Sequence, residues 1–253
     1  MTDDLGLPVR IGAVRRVVSL VPSLTEAVAG TAPGLLVGAT DWCTHPAELA
    51  VTRIGGTKNP DTARILALAP DLVLANEEEN RLPDLDVLRA AGTPVWVTRI
   101  RTLDQGFASL ERMLDEVCGL GRPAWLEQAR AAWREVPVPD RPLRAVVPVW
   151  RRPWMVLGSD TFAGDLLRRL GVEPLHAGHP ERYPAIPVAE LNASRPELLV
   201  LPDEPYRFTA EDGPEAFPGV PAALVSGRHL TWYGPSLAEA ATLLPAQLAL
   251  RVG

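Results

Sequence analysis

Two stretches decide how this chain reads: APDLVLANEEE at 69–79 and RPELLVLPDEP at 195–205. Each places a proline after a helix-like run and before a short apolar run, then turns acidic, with Glu77 and Glu78 in the first copy and Asp203 and Glu204 in the second. A proline cannot continue a helix and restricts the residue before it, so both stretches predict a helix end followed by a buried strand. Pro70 and Pro196 stand 126 residues apart in a chain of 253, close to half its length. Two similar α/β lobes are the economical explanation. Ligands of open parallel sheets bind beyond the carboxyl ends of the strands, so both acidic clusters are expected to face one cleft between the lobes.

Outward from these stretches, the alternation of strand and helix continues. RRVVSLVPS at 15–23 reads as a strand feeding a helix, with Ser23 as N-cap and Glu26 three residues on completing a capping box. TARILAL (62–68) has helical apolar spacing, DLVLA is a strand, LPDLDVLRAAG is a helix closed by Gly92, and TPVWVT is another strand. From about Thr102 to Val136 the pattern is nearly all helical, interrupted at CGLGRP, and Trp125 and Trp133 share one face of it as packing residues. After VPVPDRPLR come AVVPVW (strand), DTFAGDLLRRLG (helix), VAELNAS (helix), ELLVL and AALVS (strands) and a closing helix SLAEAATLLPAQLALRV. The expected division is an N-terminal α/β lobe over 1–101, a linking helical segment over 102–138 and a C-terminal α/β lobe over 139–253.

With 47% hydrophobic and 22% charged residues, the chain has apolar material for a real core. A net charge of −6 argues against a nucleic-acid partner, which needs a basic face to displace phosphate counterions. No apolar run approaches the roughly 20 residues of a bilayer crossing. The N-terminus shows no signal-peptide pattern, so the chain as it stands is expected in the cytoplasm, or outside it if a leader has been removed. Cys43 and Cys118 are too few for a disulfide framework and leave pairing open. There is no G-x-S-x-G elbow, no Walker lysine pattern and no convincing G-x-G-x-x-G, so no catalytic residue is expected. The crowded NEEEN at 76–80 reads as a solvated loop or one that meets a polar ligand rim, with Arg81 beside it as counter-charge. His45, His176, His179 and His229 are few for a bare metal ion, and no metal ligand is assigned.

VVSLVPSLTEAV, VGATDWCTHP, RIGGTKNPDTARILALAPDLVLANEEENR, VWRRPWMVLGSDTFAGDLLRRLG, RYPAIPVAELNASRPELLVLPDEPYRF and LTWYGPSLAEA follow one another in an order that resembles the helical-backbone periplasmic binding proteins of ABC importers, such as vitamin B12-binding and ferric siderophore receptors. The resemblance implies a class III periplasmic-binding-protein fold: two Rossmann-like α/β lobes joined by a long rigid helix, holding a metal chelate. The implied ligand is a corrinoid such as cobalamin, bound as ligand and not as catalytic cofactor; a ferric siderophore or haem is the alternative. Flat aromatic side chains suit a large planar ligand. Trp42, Trp150, Trp154, Tyr183, Tyr206, Trp232 and Tyr233 are therefore expected as contacts. Glu77, Glu78, Asp203 and Glu204 are the expected rim hydrogen-bonders, and Arg151 and Arg152 the guanidinium contacts. Transport members are similar in carrying one permease-docking glutamate per lobe; the matching positions here are Ala63 and Ala189, which predicts weak coupling to an ABC permease.

Overall fold

The computed structural model describes residues 1–137 and 139–249; the expected boundary at Val138 and the C-terminal limit at Gly253 fall outside them. Contacts divide the chain into two compact units, the first of Met1–Ile100, Asp104–Glu127 and Tyr233–Pro235, the second of Arg101–Leu103, Gln128–Trp232 and Ser236–Gly253.

In unit 1 the order is β1 (Val17–Ser19), α1 (Pro22–Ala29), β2 (Leu36–Ala39), β3 (Thr52–Arg53), the hairpin of β4 (Gly55–Gly56) and β5 (Asn59–Pro60), α2 (Thr62–Ala67), β6 (Leu72–Asn76), α3 (Leu82–Ala90) and β7 (Val95–Thr98). Five strands form one sheet in the order β3-β2-β1-β6-β7, and every pair in it is parallel. Every residue of β6 is buried, as a continuous apolar run in a sheet covered on both faces requires. The helical segment that follows is built of α4 (Leu103–Glu111), a π-helical turn over Arg112–Val117 and α5 (Ala124–Arg134). Its interruption falls at the CGLGRP stretch, where Gly119 and Gly121 adopt φ of 68° and 69°. Trp125 and Trp133 both pack on α5 as expected, their ring N–H groups donating to Thr31 Oγ1 at 3.0 Å and to the Leu237 carbonyl at 2.9 Å.

Unit 2 continues with β8 (Leu143–Val146), β9 (Pro148–Arg151), β10 (Trp154–Val156), α6 (Phe162–Arg169), β11 (Val172–Pro174), α7 (Val188–Ala193), β12 (Leu198–Pro202), β13 (Ala222–Val225), α8 (Gly227–Thr231) and α9 (Ser236–Ala249). Its main sheet, again all parallel, runs β11-β8-β12-β13. That is the order β2-β1-β6-β7 of unit 1 repeated.

The repeat is exact down to the backbone at the two prolines. Leu68 N–H bonds to the Arg64 carbonyl and Ala69 N–H to Leu66; 126 residues on, Ser194 N–H bonds to Glu190 and Arg195 N–H to Asn192. Ala69 and Arg195 both take a left-handed conformation, φ 43° and 53°. Such a residue closes the last helical turn and lets the proline start the strand. The acidic residue after each proline then braces the first strand of its own sheet. Asp71 Oδ2 accepts the N–H groups of Arg15 and Arg16 at 2.8 and 2.9 Å, and Glu197 Oε2 that of Arg144 at 3.0 Å.

One expectation fails at the start of α1. Pro22 occupies the first helical position, the cap is Val21 without a side-chain bond, and Ser23 and Glu26 are both buried inside the helix. Proline has φ preset for the first turn and no N–H to satisfy, so no hydroxyl cap is needed there.

Candidate functional site

In unit 1 the parallel strands β1, β6 and β7 end at Ser19, Asn76 and Thr98, and the NEEEN turn is built on those ends. Asn76 Nδ2 donates to the Thr98 carbonyl and to Thr98 Oγ1, both at 3.1 Å, while its Oδ1 accepts Glu78 N–H at 2.8 Å. Asn80 Oδ1 accepts Asn76 N–H at 2.9 Å, and Asn80 Nδ2 reaches the Thr57 carbonyl at 3.0 Å. The two asparagines thus fasten the turn to β7 and to the β4–β5 hairpin. Sequence reasoning passed over them; their signal was an amide at each end of an acidic run. Glu77 and Glu78 are half-buried. Burial raises the Glu79 carboxyl, with Lys58 pulling it down and Glu78 pushing it up. Lys58 also bonds to the Glu78 carbonyl. Arg81, expected to neutralise this turn, pairs instead with Asp84 one helical turn away at 3.7 Å.

Near that hairpin, with its ring nitrogen 3.6 Å from where a Cβ on Gly56 would lie, stands Trp42, 67% exposed and three residues beyond β2. Its loop is pinned from below. Cys43 is fully buried, with its sulfur 3.0 Å from Thr25 Oγ1 and 3.1 Å from Thr40 Oγ1. Arg53 Nη1 binds the carbonyls of Thr40 and Cys43 at 2.9 and 2.8 Å. With Cys43 drawn inward, its neighbour Trp42 is held out to solvent.

Tyr233 reaches the strand ends of unit 1 from far along the chain. It is buried, and its hydroxyl, bonded to Ser23 and Thr98, is pushed well above the ordinary range by burial and then by Glu79. Gly234 follows because a Cβ there would lie 2.6 Å from Glu26 Oε2 and 3.1 Å from the Ser23 carbonyl.

Unit 2 gathers its candidates into two groups. In the first, Trp154 stacks on Phe208 at 5.9 Å and meets Phe217 edge-on at 5.4 Å, while Tyr206 lies 4.6 Å from Phe208 and 5.6 Å from Trp150. Trp154 and Tyr206 are thereby packed on the core of the unit. Trp150 is left 42% exposed. Arg151 does not reach outward as expected: it forms ion pairs with Asp212 and Glu215 and lies over the Trp154 ring. Burial opposes ionisation of Glu215, but the Gly213 N–H and Arg151 together hold its carboxyl below the usual range. Arg152 is exposed. Tyr183 is half-buried on the segment paired with β10 through Val156 N–H to the Pro184 carbonyl and Ile186 N–H to that of Trp154.

In the second group Asp203 is exposed and its Oδ1 accepts Gly227 N–H at 2.6 Å. Burial and then Asp203 push the Glu204 carboxyl up, against a hydrogen bond from Trp232 and the charge of Arg228. Trp232, expected as a contact, is only 8% exposed. Apolar hollows are lined by Leu143, Val172 and Leu248 in unit 2, at the amino ends of β8 and β11, and by Pro33, Leu36 and Pro46 in unit 1, at the amino ends of β2 and β3, where the loop carrying Trp42 returns to the sheet.

No family model matches the chain. The vitamin B12-binding protein of Pectobacterium carotovorum is 23% identical over 248 positions, covering 92% of this chain and 88% of that protein. Among solved structures, the periplasmic haem-binding protein RhuT of Roseiflexus superposes with a TM-score of 0.75 at 20% identity, covering 94% of this chain and 98% of that one. The periplasmic vitamin B12-binding protein BtuF of Vibrio cholerae does so with 0.75 at 16%, covering 93% and 97%. The fold is that of the class III periplasmic binding proteins.

Within that fold, Ala63 and Ala189 are the second residues of the equivalent helices α2 and α7, and both are exposed. Among the described residues no cluster of three or more His, Cys, Asp and Glu could hold a metal ion, and no helix is long and apolar enough to cross a membrane. His45 faces Thr44 Oγ1, His179 Nδ1 accepts Glu181 N–H, and burial lowers the pKa of His176. Cys43 and Cys118 are both buried free thiols.

The raised Glu204 carboxyl carries a stability cost with a definite sign. A carboxyl with its folded pKa above its unfolded one costs nothing below the unfolded value and destabilises the fold as pH rises through the folded value. Glu204→Gln is therefore expected to raise Tm at pH 7, with the gain fading as pH falls towards about 4. Thermal unfolding of both proteins across this range checks it; an unchanged difference at every pH would refute it.

Proposed function

We propose that this protein binds a metal chelate, most specifically a corrinoid such as cobalamin, on the loops at the carboxyl ends of its strands. The observation that carries the reading is that each unit exposes one tryptophan beyond a carboxyl strand end, Trp42 on the loop after β2 in unit 1 and Trp150 on the β9–β10 hairpin that follows β8 in unit 2, backed by buried or aromatic neighbours. A large exposed indole on a fixed loop costs little entropy when a flat ligand covers it. Glu77 and Glu78 in unit 1 and Asp203 and Glu204 in unit 2 supply acceptors suited to an amide-bearing rim, and unit 2 adds Tyr183, Tyr206 and Arg152. The kinship with vitamin B12-binding proteins supports the same reading. A haem or ferric siderophore is the second reading, supported by the haem-binding neighbour. Carboxylate-bearing ligands favour guanidinium groups, and with Arg151 engaged by Asp212 and Glu215, the exposed Arg152 is the one of the two that could meet such a ligand.

Coupling to an ABC permease is weak in this reading, because alanines stand at the two docking positions and a lost interfacial charge pair costs on the order of 2–5 kcal/mol. A carrier, buffer or sensor of the chelate fits better than a transport partner.

Calorimetric titration with cobalamin, cobinamide, haemin and a ferric hydroxamate tests the ligand. Trp42→Ala and Trp150→Ala should each weaken the bound chelate by about 1–3 kcal/mol, the scale of one large side chain losing its burial. That is roughly a five- to 150-fold rise in Kd. Silence towards all four ligands would reject the chelate reading, and haemin binding without corrinoid binding would transfer it to the second.

A further inference from the structure

The turn after β13 brings Ser226 to His229 of α8 and Glu239 of α9, three side chains that the proposed chelate binding does not use. Ser226 is the capping residue of α8, where a serine ordinarily turns its oxygen onto an N–H of the first helical turn. Here it makes no such cap bond, and its hydroxyl lies 2.8 Å from Nδ1 of His229. On the other edge of the ring, His229 Nε2 lies 3.2 Å from Oε2 of Glu239 on α9. A carboxylate at Nε2 favours the tautomer protonated there, which leaves the Nδ1 lone pair facing the serine hydroxyl. Hydroxyl, base and orienting carboxylate, each within hydrogen-bond reach of the next, form the constellation of an activated nucleophile. Such sets are recognised by geometry and role, not by order along the chain.

The backbone under the serine is fixed as well. Ser226 N–H donates to Gln247 Oε1 at 3.0 Å and Gly227 N–H to Asp203 Oδ1 at 2.6 Å. A Cβ at residue 227 would lie 2.7 and 2.8 Å from the backbone oxygen and nitrogen of Glu204, so the residue after the serine has to be glycine. This is a strand–serine–helix turn at the carboxyl end of a parallel strand, where α/β folds place their chemistry. Ser226 is half-exposed, whereas the His229 side chain is only 10% exposed, so a reagent can reach the hydroxyl while the imidazole stays shielded.

We propose that Ser226 is an acyl-accepting nucleophile for small esters, with His229 as general base and Glu239 as the positioning residue. The Oγ–H proton moves to Nδ1 as Oγ bonds to the carbonyl carbon. Collapse of the tetrahedral adduct breaks the ester C–O bond, and the leaving alkoxide takes the proton from Nδ1. Water then gives a proton to the same nitrogen as its oxygen bonds to the acyl carbon; the Oγ–acyl bond breaks, Oγ takes that proton back from Nδ1, and the acid leaves with the serine restored.

A fluorophosphonate probe and p-nitrophenyl acetate test this without any chelate, so the outcome is separable from that of the ligand titrations. The probe should form one Oγ–P bond per chain with loss of fluoride, mapped by peptide mass to Ser226 and absent in Ser226→Ala. His229→Gln should slow labelling at least about 100-fold. Glu239→Gln should lower kcat for the ester with KM unchanged, and Glu239→Asp should restore it. Circular dichroism shows whether each variant is folded, and His229→Gln carries the test should Ser226→Ala fail to fold. An unlabelled Ser226 in the wild-type protein, or labelling that His229→Gln leaves unchanged, overturns the proposal.

Discussion

Trp154→Ala should destabilise unit 2 by about 2 kcal/mol, less than the cost of deleting a fully interior aromatic, because its half-buried ring packs against the core of the unit. Its ring stacks on Phe208, meets Phe217 edge-on and lies beneath the Arg151 guanidinium. Arg151 would then keep its two carboxylate partners but lose the aromatic face beneath it. Trp150→Ala, four residues away, should change stability by less than about 0.5 kcal/mol, because its ring is on the surface. The two variants therefore separate packing from ligand contact, although the residues look alike in sequence. Urea denaturation followed by circular dichroism measures both, and equal midpoints for the two variants would contradict the assignment.

Gly158→Ala should cost about 3 kcal/mol, at the upper end for adding one methyl group to a filled site. A Cβ at this position would enter the carbonyl oxygen of Glu181 and come within 2.9 Å of Pro184 Cδ and 3.2 Å of the Arg182 carbonyl. None of these is the far end of a flexible side chain. The Gly158 N–H already binds the Arg182 carbonyl at 2.8 Å, and Met155 bridges to Ala185 just beyond. The methyl group must push residues 181–184 off β10 and carry Tyr183 with them. Amide exchange at Val156 and Ile186 should quicken as their bonds to Pro184 and Trp154 open. A Tm within about 1 °C of the parent, with both amides still protected, would show that the segment yields without cost.

The internal repeat was legible because a proline, an apolar run and an acid at fixed spacing are local features of the chain. The structure adds the reason that spacing persists: Asp71 and Glu197 each tie the start of their strand unit to the first strand of their own sheet. The start of α1 was misread because capping depends on which residue holds the first helical position, and Pro22 takes it from Ser23. Strands β2 and β11 escaped notice, being short and containing Gly38 in one case and ending on Pro174 in the other.

For the candidate site, sequence alone determined the residue types and the loops that carry them, since strand ends and aromatic positions follow from local pattern. Exposure did not follow. All seven aromatics were expected as contacts, Trp42 foremost, yet Trp42 and Trp150 face solvent, Trp154 and Tyr206 pack on a core, Tyr183 is half-buried, and Trp232 and Tyr233 are covered. The same holds for charge: Arg151 is held by Asp212 and Glu215, more than sixty residues away, and Ser226 meets Glu239 only through His229. Local pattern reports what a segment can form, because its energetics involve neighbours in sequence. Burial, ion pairing and the state of a hydroxyl depend on groups brought close only when the sheets assemble, and the tertiary structure alone decides them.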